Sequence, residues 1–125
     1  MHDSTGLAGL KILIVEDDYF IATEMEEIVR GFGADVLGPV GRLDMARKVA
    51  QQVRPDGALL DVRLDGETIY PLADELIASG VPFILLTGYD TGSILEAYRT
   101  LPQLRKPVDS AALRDLALTL FGSAA

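Results

Sequence analysis

The sequence predicts a single α/β domain, a doubly wound, five-stranded parallel sheet with helices on both faces. Short apolar runs bounded by turn residues alternate along the chain with longer segments in which apolar residues recur at helical spacing. This alternation is typical of βαβ units. Because crossovers between parallel strands are right-handed, we expect the helices to cover both faces of the sheet.

Five apolar runs predict the strands, at residues 10–15, 34–37, 57–60, 82–86 and 101–104. The first, third and fourth runs are apolar on both faces, which is typical of central strands buried under helices. Five segments of helical spacing predict the helices, over residues 20–32, 43–53, 69–77, 94–98 and 113–120. Gly31, Gly80 and Gly122 stand where helices one, three and five should end, and Asp109 is placed to cap the fifth.

Length and composition fit one globular domain with one core, because the 125 residues are 49% hydrophobic and 24% charged. We expect residues 10–121 to form this domain, with residues 1–9 and 122–125 as terminal tails. The formal net charge of −8 disfavours nucleic acid and anionic membranes as partners. There is no cysteine, no apolar run long enough to cross a bilayer and no secretory signal. These features predict a cytoplasmic protein.

Acidic residues follow two of the predicted central strands. Glu16, Asp17 and Asp18 come directly after the first strand, and Asp61 comes directly after the third. If these strands are neighbours, the carboxylates meet at one edge of the sheet and repel one another unless a cation intervenes. Mg²⁺ prefers such oxygen ligands, so we expect Asp17 and Asp61 to bind it directly and Glu16 through water. For Asp18, capping of the first helix is an equally good interpretation.

Two further polar signals follow the remaining strands. Thr87-Gly88 comes after the fourth strand, and it offers a hydroxyl beside a residue without a side chain. Lys106-Pro107 comes after the fifth, where a lysine can neutralise a phosphoryl oxygen and a proline ends the strand. Each signal alone is commonplace, but their joint order at four strand ends favours a phosphoryl site.

With these segments the sequence resembles the receiver domain of two-component response regulators, over residues 10 to about 121. The resemblance rests on the segments 12–18 (Ile-Leu-Ile-Val-Glu-Asp-Asp), 59–64 (Leu-Leu-Asp-Val-Arg-Leu), 86–88 (Leu-Thr-Gly) and 106–107 (Lys-Pro). It implies a flavodoxin-like sheet with strand order 2-1-3-4-5. It also implies a stand-alone subgroup named for a Phe-Ala-Thr-Gly-Tyr-like motif, of which Thr87, Gly88 and Tyr89 match the last three residues.

The resemblance implies a role for each site residue. Asp61 resembles the phosphoacceptor, Thr87 the switch hydroxyl and Lys106 the phosphate-binding lysine. The remaining matches concern the metal, for which Glu16 and Asp17 resemble the acidic pair and Arg63 the residue that offers its backbone carbonyl. The implied reaction is Mg²⁺-dependent attack of Asp61 on phosphorus, with the charge neutralised by the metal and Lys106.

The family implies partners as well. A sensor histidine kinase or a histidine phosphotransfer protein is the expected donor, and a downstream protein is expected at the face of helix four, strand five and helix five. Because the chain ends soon after the fifth helix, we expect output through phosphorylation-dependent protein binding, as a phosphate sink, or through a further domain if the chain is cut from a longer protein. The domain would catalyse only its own phosphorylation and dephosphorylation, and whether it forms a homodimer is left open.

The sequence departs from the family at one position of the switch. Receivers commonly carry an aromatic residue three positions before the lysine, where this chain has Gln103. Tyr89 is a candidate to take over part of that role, although a tyrosine of the core or of the surface is the simpler interpretation. Arg63 and Tyr89 also stand at the two positions that govern water access in the family, and we expect their bulk to slow self-dephosphorylation.

Two alternative functions share part of this pattern. An enzyme of the haloacid dehalogenase type also uses a strand-end Asp with Mg²⁺, but it needs a second Asp where this chain has Arg63. A receiver-like interaction module that acts without phosphorylation is the other alternative. The complete acidic, threonine and lysine set argues against such a module, whereas Gln103 keeps it open.

Overall fold

A parallel sheet forms the centre of the protein in a computed structural model that describes residues 6–64, 66–88 and 96–122. Within these ranges the sheet has five strands, in the order β2-β1-β3-β6-β7. They are β1 Lys11–Val15, β2 Asp35–Val40, β3 Gly57–Asp61, β6 Phe83–Thr87 and β7 Gln103–Arg105. The two short strands that intervene in the sequence lie outside this sheet, so the order confirms the predicted 2-1-3-4-5.

Four α-helices are described, α1 Tyr19–Gly31, α2 Leu43–Gln52, α3 Tyr70–Ser79 and α4 Ser110–Ala117, and a π-helical turn at Leu118–Gly122 continues the last of them. They correspond to predicted helices one, two, three and five. Asp18 and Asp109 cap the starts of α1 and α4 with their side chains, as the sequence suggested. In the fourth predicted segment, Tyr98 belongs to a 3₁₀ turn at Glu96–Tyr98, whereas Ile94 and Leu95 lie outside the described residues.

Both faces of the sheet are covered, because alternate side chains of the central strands enter two separate clusters of buried residues. On one face Leu13, Leu60 and Leu85 pack with residues of α2 and α3. On the other face Ile14 and Leu59 pack with residues of α1 and α4. The central strands are therefore buried on both sides, as their apolar sequence predicted. No helix among the described residues is long and apolar enough to span a membrane.

A two-stranded antiparallel hairpin lies directly after β3 and was not predicted. It pairs β4 Arg63–Leu64 with β5 Glu67–Thr68. Gly66 adopts a φ of 84° in its turn, which a residue without a Cβ reaches at little cost. The sequence does contain a signal for this turn in Asp65-Gly66, a dipeptide favoured in tight hairpins.

The packed region begins earlier than the predicted start at residue 10. Leu7 is fully buried, and its backbone N–H donates to the carbonyl of Phe32 at 2.8 Å. Leu7 packs in the cluster on the α1 and α4 face. The sequence alone places this residue in a polar N-terminal stretch, where a single leucine carries no periodic signal. The part of the predicted tail that the structure describes is thus joined to the core.

Candidate functional site

The predicted site residues lie at the carboxyl edge of the sheet. Glu16 directly follows β1, Asp61 ends β3, Thr87 ends β6 and Lys106 directly follows β7. Parallel pairing joins β1 to β3, β3 to β6 and β6 to β7. Because neighbouring parallel strands end at the same edge, residues from four distant parts of the sequence meet in one place.

Three carboxylates form an acidic cluster at this edge. One oxygen each from Glu16, Asp17 and Asp61 lies within 4.8 Å of the others. Glu16 and Asp61 are buried, with 3% and 5% of their surfaces exposed, whereas Asp17 is exposed. Buried carboxylate oxygens beside an exposed one suit a hard divalent cation that keeps some of its waters, so the donor set fits Mg²⁺.

Lys106 is the positive charge of the site. Its Nζ lies 2.8 Å from Oε1 of Glu16 and 3.1 Å from Oδ2 of Asp61. The side chain of Lys106 is 18% exposed and that of Glu16 is not exposed at all. The other carboxylate oxygen of Glu16 accepts a hydrogen bond from the backbone N–H of Asp18 at 3.1 Å. Glu16 therefore contacts the lysine directly, which the sequence did not indicate.

The pKa values of this pair follow from burial and charge. Burial raises the pKa of the Glu16 carboxyl to about 7, and the nearby Asp61 adds to the rise although Lys106 and the Asp18 N–H oppose it. Burial alone would lower the pKa of Lys106, but the hydrogen bond to Glu16 and the charges of Asp61 and Glu16 raise it. The ammonium is thus held in its charged form beside Asp61.

Asp61 is also linked to the hairpin that follows it. Its Oδ1 accepts a hydrogen bond from the backbone N–H of Arg63 at 3.3 Å. Arg63 begins β4 and is exposed. The predicted contact of the Arg63 carbonyl with a metal ion stays a prediction.

Thr87 ends β6 and Gln103 begins β7, the two neighbouring strands on the Lys106 side of the sheet. The hydroxyl of Thr87 donates to the backbone carbonyl of Leu104 at 3.5 Å, and the Thr87 carbonyl accepts from the backbone N–H of Lys106 at 2.7 Å. Gln103 uses its side-chain amide to donate to the carbonyls of Arg99 and Leu101, at 2.9 and 3.3 Å. The residue at the expected aromatic position therefore holds the turn that leads into β7.

Comparison with known proteins gives the family. No family model matches the chain, but it is 24% identical to the transcriptional regulatory protein PdtaR of Mycobacterium tuberculosis over 115 residues, 91% of this chain and 56% of PdtaR. The PhyR response regulator receiver domain of Erythrobacter litoralis superposes with a TM-score of 0.75 at 25% identity, covering 88% of each chain. SdrG of Sphingomonas melonis Fr1 superposes with a TM-score of 0.78 at 32% identity, over 92% of this chain and 98% of SdrG. The chain belongs to the response regulator receiver domains.

The receiver domain spans just over half of the length of PdtaR, 56%. Its family consists of signalling domains, which argues against the haloacid dehalogenase alternative. Five predicted site residues of the receiver domain lie at or just after strand ends, and the structure brings all five to one edge of the sheet. They are Glu16, Asp17, Asp61, Thr87 and Lys106. Of the other predictions, Asp18 acts as a helix cap, with its Oδ1 accepting from the N–H groups of Phe20 and Ile21, and Tyr89 lies outside the described residues.

Proposed function

We propose that Asp61 of this receiver domain accepts a phosphoryl group in a Mg²⁺-dependent reaction and that the modified domain signals by binding another protein. The observation that carries the proposal is the position of the Asp61 carboxylate, which lies 3.1 Å from the Lys106 ammonium and within 4.8 Å of carboxylate oxygens of Glu16 and Asp17. A carboxylate among acids that can bind a cation, with a lysine beside it, is arranged to attack a phosphoryl group.

The donor is a phosphohistidine on a sensor histidine kinase or a phosphotransfer protein, which places the reaction in the cytoplasm. An oxygen of Asp61 attacks phosphorus, the new O–P bond forms as the P–N bond to the donor imidazole breaks, and the electron pair of that bond leaves with the imidazole. Asp17, Asp61 and the Arg63 carbonyl would hold Mg²⁺ directly and Glu16 would hold it through water, and the bound ion would supply positive charge near the phosphoryl oxygens.

The residues of the chain carry the rest of the reaction. Lys106 turns from Glu16 and Asp61 toward the incoming phosphoryl oxygens, and it stays protonated because its pKa is raised. Thr87 supplies a hydroxyl that can leave the Leu104 carbonyl, to which it makes a long bond of 3.5 Å, for a phosphoryl oxygen. Its neighbours Gly88 and Tyr89 complete the last part of the Phe-Ala-Thr-Gly-Tyr-like motif, and this supports the stand-alone subgroup.

Intact-mass measurement tests the proposal. Wild-type protein incubated with acetyl phosphate and Mg²⁺ should gain the mass of one phosphoryl group, and Asp61→Asn should not. Asp35→Asn is the matched control, because Asp35 is an exposed acid at the start of β2, at the opposite end of the sheet from the site. This variant should gain the phosphoryl group as the wild type does. Chelation of Mg²⁺ should abolish the mass gain in wild type and in Asp35→Asn.

Absence of a mass gain in wild type under every condition would contradict the proposal. That result would favour the interaction module that acts without phosphorylation, which Gln103 keeps open. The downstream partner is expected on the face formed by the 3₁₀ turn, β7 and α4. A pull-down that compares the beryllofluoride-loaded and unloaded domains would identify a partner specific for the modified form.

A further inference from the structure

Two tyrosines join α3 to the turn before β7. The rings of Tyr70 and Tyr98 stack with centroids 4.2 Å apart and an interplanar angle of 15°. The hydroxyl of Tyr98 donates to Oδ1 of Asp74, one helical turn after Tyr70, at 2.7 Å. Tyr70, Asp74 and Tyr98 are called the aromatic clasp below. Stacked rings and a hydrogen bond to a charged acceptor make it a directional contact rather than a general apolar one.

The turn next to the clasp is held by backbone carbonyls. Gln103 donates to the carbonyls of Arg99 and Leu101, and the N–H of Leu101 donates to the carbonyl of Tyr98 at 3.2 Å. The carbonyl of Pro102 accepts from the N–H of Leu85 in β6 at 2.9 Å. A movement of Tyr98 would therefore be passed to β7, the strand that leads to Lys106.

The clasp is also connected to Asp61 through the hairpin. The Arg63 N–H donates to the Asp61 carboxylate at 3.3 Å, and Arg63 pairs with Thr68 across the hairpin. Ile69 follows, fully buried, with its N–H donating to the Val62 carbonyl at 2.8 Å. Tyr70 is the next residue. A continuous path of hydrogen bonds and one buried residue thus connects the Asp61 carboxylate to Tyr70.

We propose that the aromatic clasp reports the chemical state of Asp61, closed in the unmodified domain and opened when Asp61 carries a phosphoryl group. The inference rests on the proposed function and adds the route of the signal. Phosphorylation turns an Asp61 oxygen into a bridging oxygen and brings new acceptor oxygens to the Arg63 N–H. The hairpin then shifts Tyr70 away from Tyr98, and the turn that Gln103 holds is released. This route needs no rotating aromatic residue on β7.

Linkage gives a sharp test of this coupling. If modification of Asp61 opens the clasp, part of the binding free energy in wild type is used to open it. A variant whose clasp is already open avoids this cost, so it must bind the phosphoryl mimic more tightly by the free energy of opening. Tyr70→Leu removes the stacked ring and keeps an apolar side chain at the start of α3. Tyr19→Leu is the matched control, since Tyr19 is 75% exposed on α1 and lies outside the clasp.

The experiment combines hydrogen exchange with calorimetric titration of beryllofluoride and Mg²⁺, which mimic the phosphoryl group. In wild type and Tyr19→Leu, loading should raise amide exchange over residues 98–105. In Tyr70→Leu, amide exchange over residues 98–105 should already be raised without beryllofluoride and should change little when beryllofluoride and Mg²⁺ are added. The apparent affinity of this variant for beryllofluoride should be about fivefold higher than that of wild type. Tyr98→Phe, which keeps the ring and loses the bond to Asp74, should shift both readouts in the same direction by less.

The outcomes separate the two proposals. If wild type gains no phosphoryl mass and binds no beryllofluoride, the proposed function fails. If wild type does both but exchange over residues 98–105 is unchanged by loading, the clasp does not report Asp61. Equal beryllofluoride affinity in folded wild type, Tyr70→Leu and Tyr98→Phe would overturn the inference in the same way.

Discussion

Lys106 makes its shorter contact with Glu16, at 2.8 Å, and its longer one with Asp61, at 3.1 Å. In the unmodified domain the lysine is thus held by a fully buried carboxylate while it already lies beside the expected acceptor. Glu16 has two roles in this arrangement, because it belongs to the acidic cluster and also positions the lysine. Four predictions concern this site and the packing of the rest of the domain.

Loss of the lysine should destabilise the domain most when no metal ion is present. Lys106→Met leaves Glu16 and Asp61 close together without their counter-charge, so the free energy of unfolding should fall by about 2 kcal/mol in Mg²⁺-free buffer. Added Mg²⁺ should raise the stability of this variant more than that of wild type. Urea denaturation with and without Mg²⁺ measures both effects. Lys48→Met is the control on the exposed face of α2, and equal stability of the two variants without Mg²⁺ would refute the prediction.

The adjacent acids Asp17 and Asp18 should respond differently to alanine substitution. Asp18→Ala removes the cap of α1 and should lower the free energy of unfolding by about 1 kcal/mol, with little change in Mg²⁺ affinity. Asp17→Ala should lower Mg²⁺ affinity by about tenfold or more and leave stability in Mg²⁺-free buffer close to that of wild type. Calorimetric titration and thermal unfolding separate the two. A similar loss of Mg²⁺ affinity in both variants would show that the cap is also a ligand.

A side chain at position 57, where the protein has glycine, should destabilise the domain. A Cβ built there would lie 2.6 Å from the ring of Phe121, which is fully buried beneath the start of β3. Gly57→Ala should therefore lower the free energy of unfolding by about 1–3 kcal/mol. Gly31→Ala is the control, because a Cβ there meets nothing within 4 Å, and it should leave stability unchanged or slightly higher. Urea denaturation compares the two, and equal stability would mean that Phe121 can move aside.

Tyr98 should ionise at a higher pH than an ordinary tyrosine. The hydrogen bond to Asp74 raises its pKa, and burial and the neighbouring charge of Asp74 and Tyr70 add to the rise. Since the pKa is raised in the folded state, the stability that this bond contributes is complete below the ordinary value of about 10. It is lost as the pH rises through the raised pKa.

The absorbance of tyrosinate during alkaline titration measures this pKa, with Tyr98→Phe identifying the step that belongs to Tyr98. Asp74→Asn should move that step toward the ordinary tyrosine value. In the Tyr98→Phe background the same Asp74→Asn change should leave the titration as it is. An unshifted step in Asp74→Asn alone would show that Asp74 does not control the ionisation of Tyr98.

Much of the fold could be predicted because strands and helices differ in the period of their apolar residues. The strands of the central sheet were anticipated to within a few residues, and so were α1, α2, α3 and α4. The site positions Asp61, Thr87 and Lys106 could be found because parallel strands bring their carboxyl ends to one edge. The hairpin was missed because strands of two residues are too short to show a period, although Asp65-Gly66 marked its turn.

The sequence by itself determined the parallel sheet and the identity of the residues at its carboxyl edge, since these depend on local pattern and on the handedness of crossovers. The strand order came from the resemblance to receiver domains. Only the tertiary structure decided that Glu16 holds Lys106, that Asp18 caps a helix, that Leu7 joins the core and that Tyr70 stacks on Tyr98. Such contacts join residues far apart in the chain, or assign one of two adjacent acids to one role. They depend on distances and directions of side chains, which packing sets and a linear pattern does not contain.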